Sequence, residues 1–157
     1  MILFLLIFFG FENIKAQCNR VDSISESFDN WKSIPQCWET YSGLSMLYAK
    51  NKRITFYSMM TPKEDMYFIT PKLKAGYYTI TMDLSDNGGH TALSLFSVLN
   101  PSDKKSFSLI VKESEIKDGK RTQTFKLRKD AHVGLKVLLN DMHQAVYLDN
   151  LSIQPSK

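Results

Sequence analysis

The chain has 157 residues and a formal charge of +4, with aromatic and apolar contents ordinary for a globular protein. Its lysines are scattered, and "NPSDKKSF" and "KDGKRTQ" read as turns carrying solvated charge, which excludes a nucleic-acid-binding stripe. The sequence contains no CxxC and no HExxH, so the spacing logic of a zinc site or a zinc-hydrolase helix is missing.

The opening run "MILFLLIFF" is too short for a membrane span, which needs roughly 20 apolar residues. It fits a secretory h-region, with Ile14 and Ala16 at the −3 and −1 positions of a cleavage site. Residues 1–16 are therefore expected to be a signal peptide. The chain from Gln17 onward is expected to be secreted, extracellular or at the cell surface, without a transmembrane segment. In an oxidising compartment, Cys18 and Cys37 are expected to form a disulfide.

From there, period-two alternation repeats to the end of the chain. The expected strands are 23–28, 44–49, 53–59, 65–70, 76–85, 91–99, 106–113, 121–127, 132–139 and 145–153. Pro71 closes the fourth, because proline cannot donate to a ladder. In "GYYTITMDLS", Tyr78, Ile80, Met82 and Leu84 share one face, while Tyr77, Thr79, Thr81 and Asp83 take the other. "DNGG" at 86–89, "NPSD" and "KDGK" supply turns. Short strands at regular spacing predict an all-β antiparallel sandwich or barrel, with residues 17–157 as a single domain. In the last strand, "AVYLDNLSI", strict alternation puts Asp149 on the face of Ala145, Tyr147, Leu151 and Ile153. An ionised carboxylate facing inward must be paired, hydrogen-bonded or cation-bound.

"ESFDNWKSIPQCW", "MYFITPKLKAGYYTITMDLS", "TQTFKLRKDAHVGLKVL" and "AVYLDNLSI" occur in this order between Glu26 and Ile153. Together they resemble the cleaved-adhesin domains of Bacteroidetes, found in gingipains and haemagglutinins. The resemblance implies a β-jelly roll of the galactose-binding or carbohydrate-binding-module type, and adhesion or ligand binding rather than catalysis. It further implies a structural calcium held between the first and last strands, with Glu26, Asp29 and Asp149 as ligands. Calcium takes several oxygen donors, so that set is chemically sensible.

No catalytic constellation is legible. GxSxG is missing, and the acidic pairs Glu64–Asp65 and Glu113–Glu115 read as solvated turns and strand ends. Sugar rings stack on aromatic faces, which makes Tyr77, on the outward phase of its strand, and Trp31, in the turn-like "DNWKSIP", the candidate ligand contacts. Trp38, Tyr67, Phe68 and Tyr147 are expected in the core. The function expected is a secreted, non-catalytic, adhesin-like module that recognises a glycan or a cell-surface protein. A structural or accessory subunit of an extracellular assembly is the alternative.

Overall fold

Alternating apolar and polar residues give strands almost throughout the computed structural model, which describes residues 18–43, 45–59 and 65–156. The expected signal segment lies outside the described residues. The strands are β1 (Ile24–Glu26), β2 (Glu39–Tyr41), β3 (Met46–Lys50), β4 (Arg53–Tyr57), β5 (Asp65–Ile69) and β6 (Gly76–Asp86). They continue as β7 (Thr91–Val98), β8 (Phe107–Glu115), β9 (Gly119–Leu127), β10 (His132–Leu139) and β11 (Ala145–Pro155). A short 3-10 turn at Lys104–Ser106 precedes β8, and among the described residues no helix is long and apolar enough to cross a membrane. Strand β2 was not among the expected elements, because three residues carry too little alternation to be recognised.

All strand pairings are antiparallel, and they form two sheets. One has the order β3-β4-β11-β6-β9, with β1 also paired to β11; the other has the order β2-β5-β10-β7-β8. This is the all-β sandwich of jelly-roll type that the sequence predicts. Ile54, Phe56, Ile80, Met82, Val146 and Leu148 from the first sheet are fully buried with Met66, Phe68, Val133, Leu135 and Val137 from the second. Each such side chain contributes about 1.5–3 kcal/mol by leaving water.

Strand β11 departs from strict alternation. Asp149 lies opposite Asp83 of β6, and Ser152 lies opposite Thr81, so Asn150 and Leu151 together face Met82. Asn150 is the extra residue of this β-bulge and adopts a left-handed conformation, with φ of 47°. An extra residue reverses the phase of everything beyond it. Val146 and Leu148 point inward before the bulge, and Leu151 and Ile153 point inward after it. Tyr147 and Asp149 accordingly face outward and are only half-buried, which corrects the expectation that both belong to the inner face. The bulge also marks a change of neighbour along the other edge of β11. Strand β4 pairs with residues 145–148, and β1 pairs with residues 151–153.

Aromatic packing anchors the N-terminal segment. Trp38 stacks on Phe68 at 4.9 Å, and Trp31 meets Trp38 edge-on at 5.1 Å. Phe28 meets Trp31 at 4.8 Å. Cys18 and Cys37 form the expected disulfide. Both Phe28 and Cys37 have positive φ, 57° and 77°, a conformation that costs a non-glycine residue roughly 1–2 kcal/mol. The buried Phe28 ring and the covalent bridge hold them there. Farther along, Val21 receives and donates backbone hydrogen bonds to the segment 72–74, and Arg20 pairs with Asp130 at 2.6 Å.

Candidate functional site

The outward positions of the first sheet form a polar face. Between β6 and β9 the cross-strand pairs are Tyr77–Lys126, Thr79–Thr124, Thr81–Thr122 and Asp83–Lys120. On the other side of β6, β11 contributes Gln154, Ser152, Asp149 and Tyr147. Threonine is favoured on such a pleated surface, and its hydroxyls present donors and acceptors to solvent. Tyr77 stands at one end of this face and is 58% exposed, as its phase in the sequence predicts. The Lys126 ammonium lies 4.7 Å from the centre of its ring. A hydrogen bond from Lys126, reinforced by its charge, lowers the Tyr77 phenol from its ordinary value. At the far side, the Arg53 guanidinium sits 3.7 Å above the ring of Tyr147, and the hydroxyl of Tyr57 is bonded to Nδ1 of His143 at 2.9 Å.

The outer face of the second sheet is more aromatic and apolar. Tyr67, Ile69 and Val98 are buried there beneath Phe96 and Phe107, and Lys104 lies 4.0 Å above the exposed ring of Tyr41. Burial raises the Tyr67 phenol, and the nearby Asp65 adds to that shift.

Between the sheets, a cleft of about 560 Å³ opens on the side where β8 and β9 are the free edges. Strands β8 and β9 leave their connecting turn together, and Arg121 donates to Ser114 Oγ near that end. The cleft lies at the opposite end of both strands. Ser97, Leu99, Ser108, Leu109 and Ile110 line one wall, and Lys126, Arg128 and Lys129 line the other. Lys126 therefore belongs both to the Tyr77 pair and to the cleft. Nothing in the sequence but the basic run "KLRKD" signals this site, because its two walls belong to different sheets.

The expected ligand contacts separate. Tyr77 is open to solvent, whereas Trp31 is half-buried among Phe28, Trp38 and Phe68, so its indole serves the core rather than an open surface. Trp38, Tyr67 and Phe68 are buried as expected.

The three expected calcium ligands do not gather. Glu26 is registered opposite Leu151 in the β1–β11 ladder. Asp29 accepts from Ser27 Oγ at 2.9 Å and lies 3.5 Å from Lys52. Asp149 accepts the backbone N–H of Asn150 at 2.8 Å, while the Asn150 side chain donates to Asp83 at 2.8 Å. Asn150 thus supplies a donor to each of two carboxylates that oppose one another across the strands, which offsets their repulsion. Among the described residues, no three His, Cys, Asp or Glu side chains are grouped to hold a metal ion. The donor set therefore does not fit a shared calcium. Asp149→Asn is expected to change stability by no more than about 0.5 kcal/mol, the range of surface substitutions. Chelator should leave the melting midpoints of both proteins unchanged. A midpoint that falls with chelator in the wild type alone would restore the cation.

No protein-family model and no curated protein sequence matches the chain. Solved structures do match. The K1 cleaved adhesin domain of Lys-gingipain from Porphyromonas gingivalis W83 superposes with a TM-score of 0.66 at 19% identity, covering 87% of this chain and all of that one. The K3 domain of the same protein gives 0.64 at 15% identity, covering 85% of this chain and 98% of that one. A family 29 carbohydrate-binding module, as a CBM29-2 mutant complexed with cellulohexaose, gives 0.53 at 11% identity, covering 85% of this chain and 92% of that one. The chain thus has the fold of cleaved adhesin domains, as the sequence resemblance implied. At these identities the similarity establishes the fold and nothing further.

Proposed function

We propose that the protein is a secreted, non-catalytic, adhesin-like module that binds glycans through the open face of the β3-β4-β11-β6-β9 sheet. The observation that carries this reading is Tyr77, an exposed ring oriented by Lys126 at the end of a row of outward hydroxyl side chains. A sugar ring stacks its apolar face on such a phenol, while its hydroxyls bond to neighbouring polar groups. Two solved relatives in fold are named adhesin domains, and a third is a carbohydrate-binding module complexed with cellulohexaose. Export is supported by the Cys18–Cys37 bridge, since disulfides persist in oxidising compartments.

A glycan-array screen of residues 17–157, with Tyr77→Ala beside the wild type, tests the reading. The wild type should bind a defined set of glycans, and Tyr77→Ala should weaken that binding at least about tenfold, as loss of a ring contact of 1.4 kcal/mol or more would. The exposed position makes the variant's fold safe, and an unchanged melt confirms it. A blank array for folded wild type would leave a surface protein or an accessory role as the function. Undiminished binding by Tyr77→Ala would remove this face as the site.

A further inference from the structure

We infer that the cleft between β8 and β9 binds an acidic saccharide chain, one bearing carboxylate or sulfate groups. The inference rests on the glycan-binding reading and names the ligand class for a place that reading does not use. Its cationic wall is Lys126, Arg128 and Lys129, and among the described residues no acidic side chain lines the cleft. Among the described residues, the ion pairs join Arg20 to Asp130, Lys52 to Asp29, Lys74 to Asp22 and Lys136 to Asp65. None of them draws on a cation of the cleft. The acid next in sequence, Asp130, is turned to Arg20 and to the backbone N–H of Ala75. A backbone hydrogen bond from Ala75, then the Arg20 bond, holds its carboxyl below the usual range, so it stays ionised and occupied elsewhere.

Three positive charges on one wall without counter-charges repel one another, and an anion bound in the cleft against that wall relieves the repulsion. Arginine in addition offers a planar fork that matches a carboxylate or sulfate oxygen pair. The opposite wall narrows the class of anion. Leu99 is 49% exposed and Leu109 is 55% exposed, and with Ile110 they give an apolar surface beside the hydroxyls of Ser97 and Ser108. A saccharide presents both C–H faces and hydroxyls to such a wall. Because β8 and β9 are free edges, their unpaired backbone groups add further donors and acceptors. A volume of about 560 Å³ falls within the roughly 300–1,000 Å³ of small-molecule sites. Lys126 also contacts Tyr77, so an acidic chain in the cleft can continue onto the open face.

The test is titration calorimetry of residues 17–157 with four probes: an oligogalacturonate, a sulfated dextran oligomer, cellulohexaose and a single-stranded oligonucleotide. Two double variants accompany the wild type. Arg128→Gln/Lys129→Gln removes charge from the cleft, and Lys32→Gln/Lys117→Gln removes the same charge from exposed positions outside both the cleft and the open face. At least one acidic saccharide should bind, more weakly as salt rises, and the cleft variant should lose tenfold or more. The outside variant should lose no more than about twofold. Preference between the first two probes identifies carboxylate or sulfate as the group recognised. Equal losses in both variants would reduce the effect to net charge and overturn the inference. An oligonucleotide binding as tightly as the acidic saccharides would overturn it as well. Cellulohexaose binding without either acidic probe would sink the inference alone and leave glycan binding in place. A folded protein that binds none of the probes, with a blank glycan array, would remove both.

Discussion

Phe68→Ala is expected to destabilise the protein by about 3–5 kcal/mol, the usual cost of truncating a buried phenylalanine. Phe68 is fully buried on the inner face of β5 and is the ring on which the N-terminal aromatic residues converge. Trp38 stacks on it at an interplanar angle of 15°, and Phe28 and Trp31 meet it edge-on at 6.1 and 6.2 Å. Removing the ring leaves a cavity bounded by three large planar groups. They are fixed by the disulfide and by the positive-φ turn, so they relax poorly into the space. Because both tryptophans lie against the ring, native fluorescence should change along with stability. Urea unfolding of wild type and variant, followed by tryptophan emission and by far-UV circular dichroism, measures both effects. A loss under about 1.5 kcal/mol with unchanged native emission would mean that the aromatic cluster is looser than its geometry indicates.

Removing the disulfide is expected to cost about 3 kcal/mol, from the chain-entropy relation for a loop closed across a separation of 19 residues. For a domain of this size that corresponds to roughly 10 °C in melting midpoint. The consequence is local as well as global. Cys37 has a φ of 77°, which nothing in a serine favours, so Cys18→Ser/Cys37→Ser should loosen the turn that carries Trp31 and Trp38. Reduction of the wild type should reproduce the shift seen in the double variant. Calorimetric melts of the oxidised, reduced and substituted proteins compare the three directly. A midpoint that moves by less than about 3 °C would show that the backbone bonds of Val21 and the Arg20–Asp130 pair already hold the segment.

Period-two alternation by itself determined ten of the eleven strands and an all-β antiparallel chain, because a side-chain period of two is a property of the extended backbone; it left sandwich and barrel open. It also placed Tyr77 outside and Tyr78, Ile80 and Met82 inside along β6, whose ladder with β9 runs without a register shift. The two cysteines could be paired from their number and from the export that the opening run leads one to expect. Tertiary structure decided what lay beyond an uninterrupted period. One extra residue at Asn150 turned Asp149 outward and kept Leu151 and Ile153 inside. The bulge sits where the neighbour of β11 changes from β4 to β1, a fact about distant segments that β11 does not encode. The convergence of Trp31 on Phe68 likewise depends on β5 lying beneath the N-terminal turn. The basic cleft needed Ser97, Leu109 and Arg128 to meet across the open edges of two sheets. Alternation tells each residue which side of its own strand it occupies, and only the order of strands within and between sheets tells it what stands opposite.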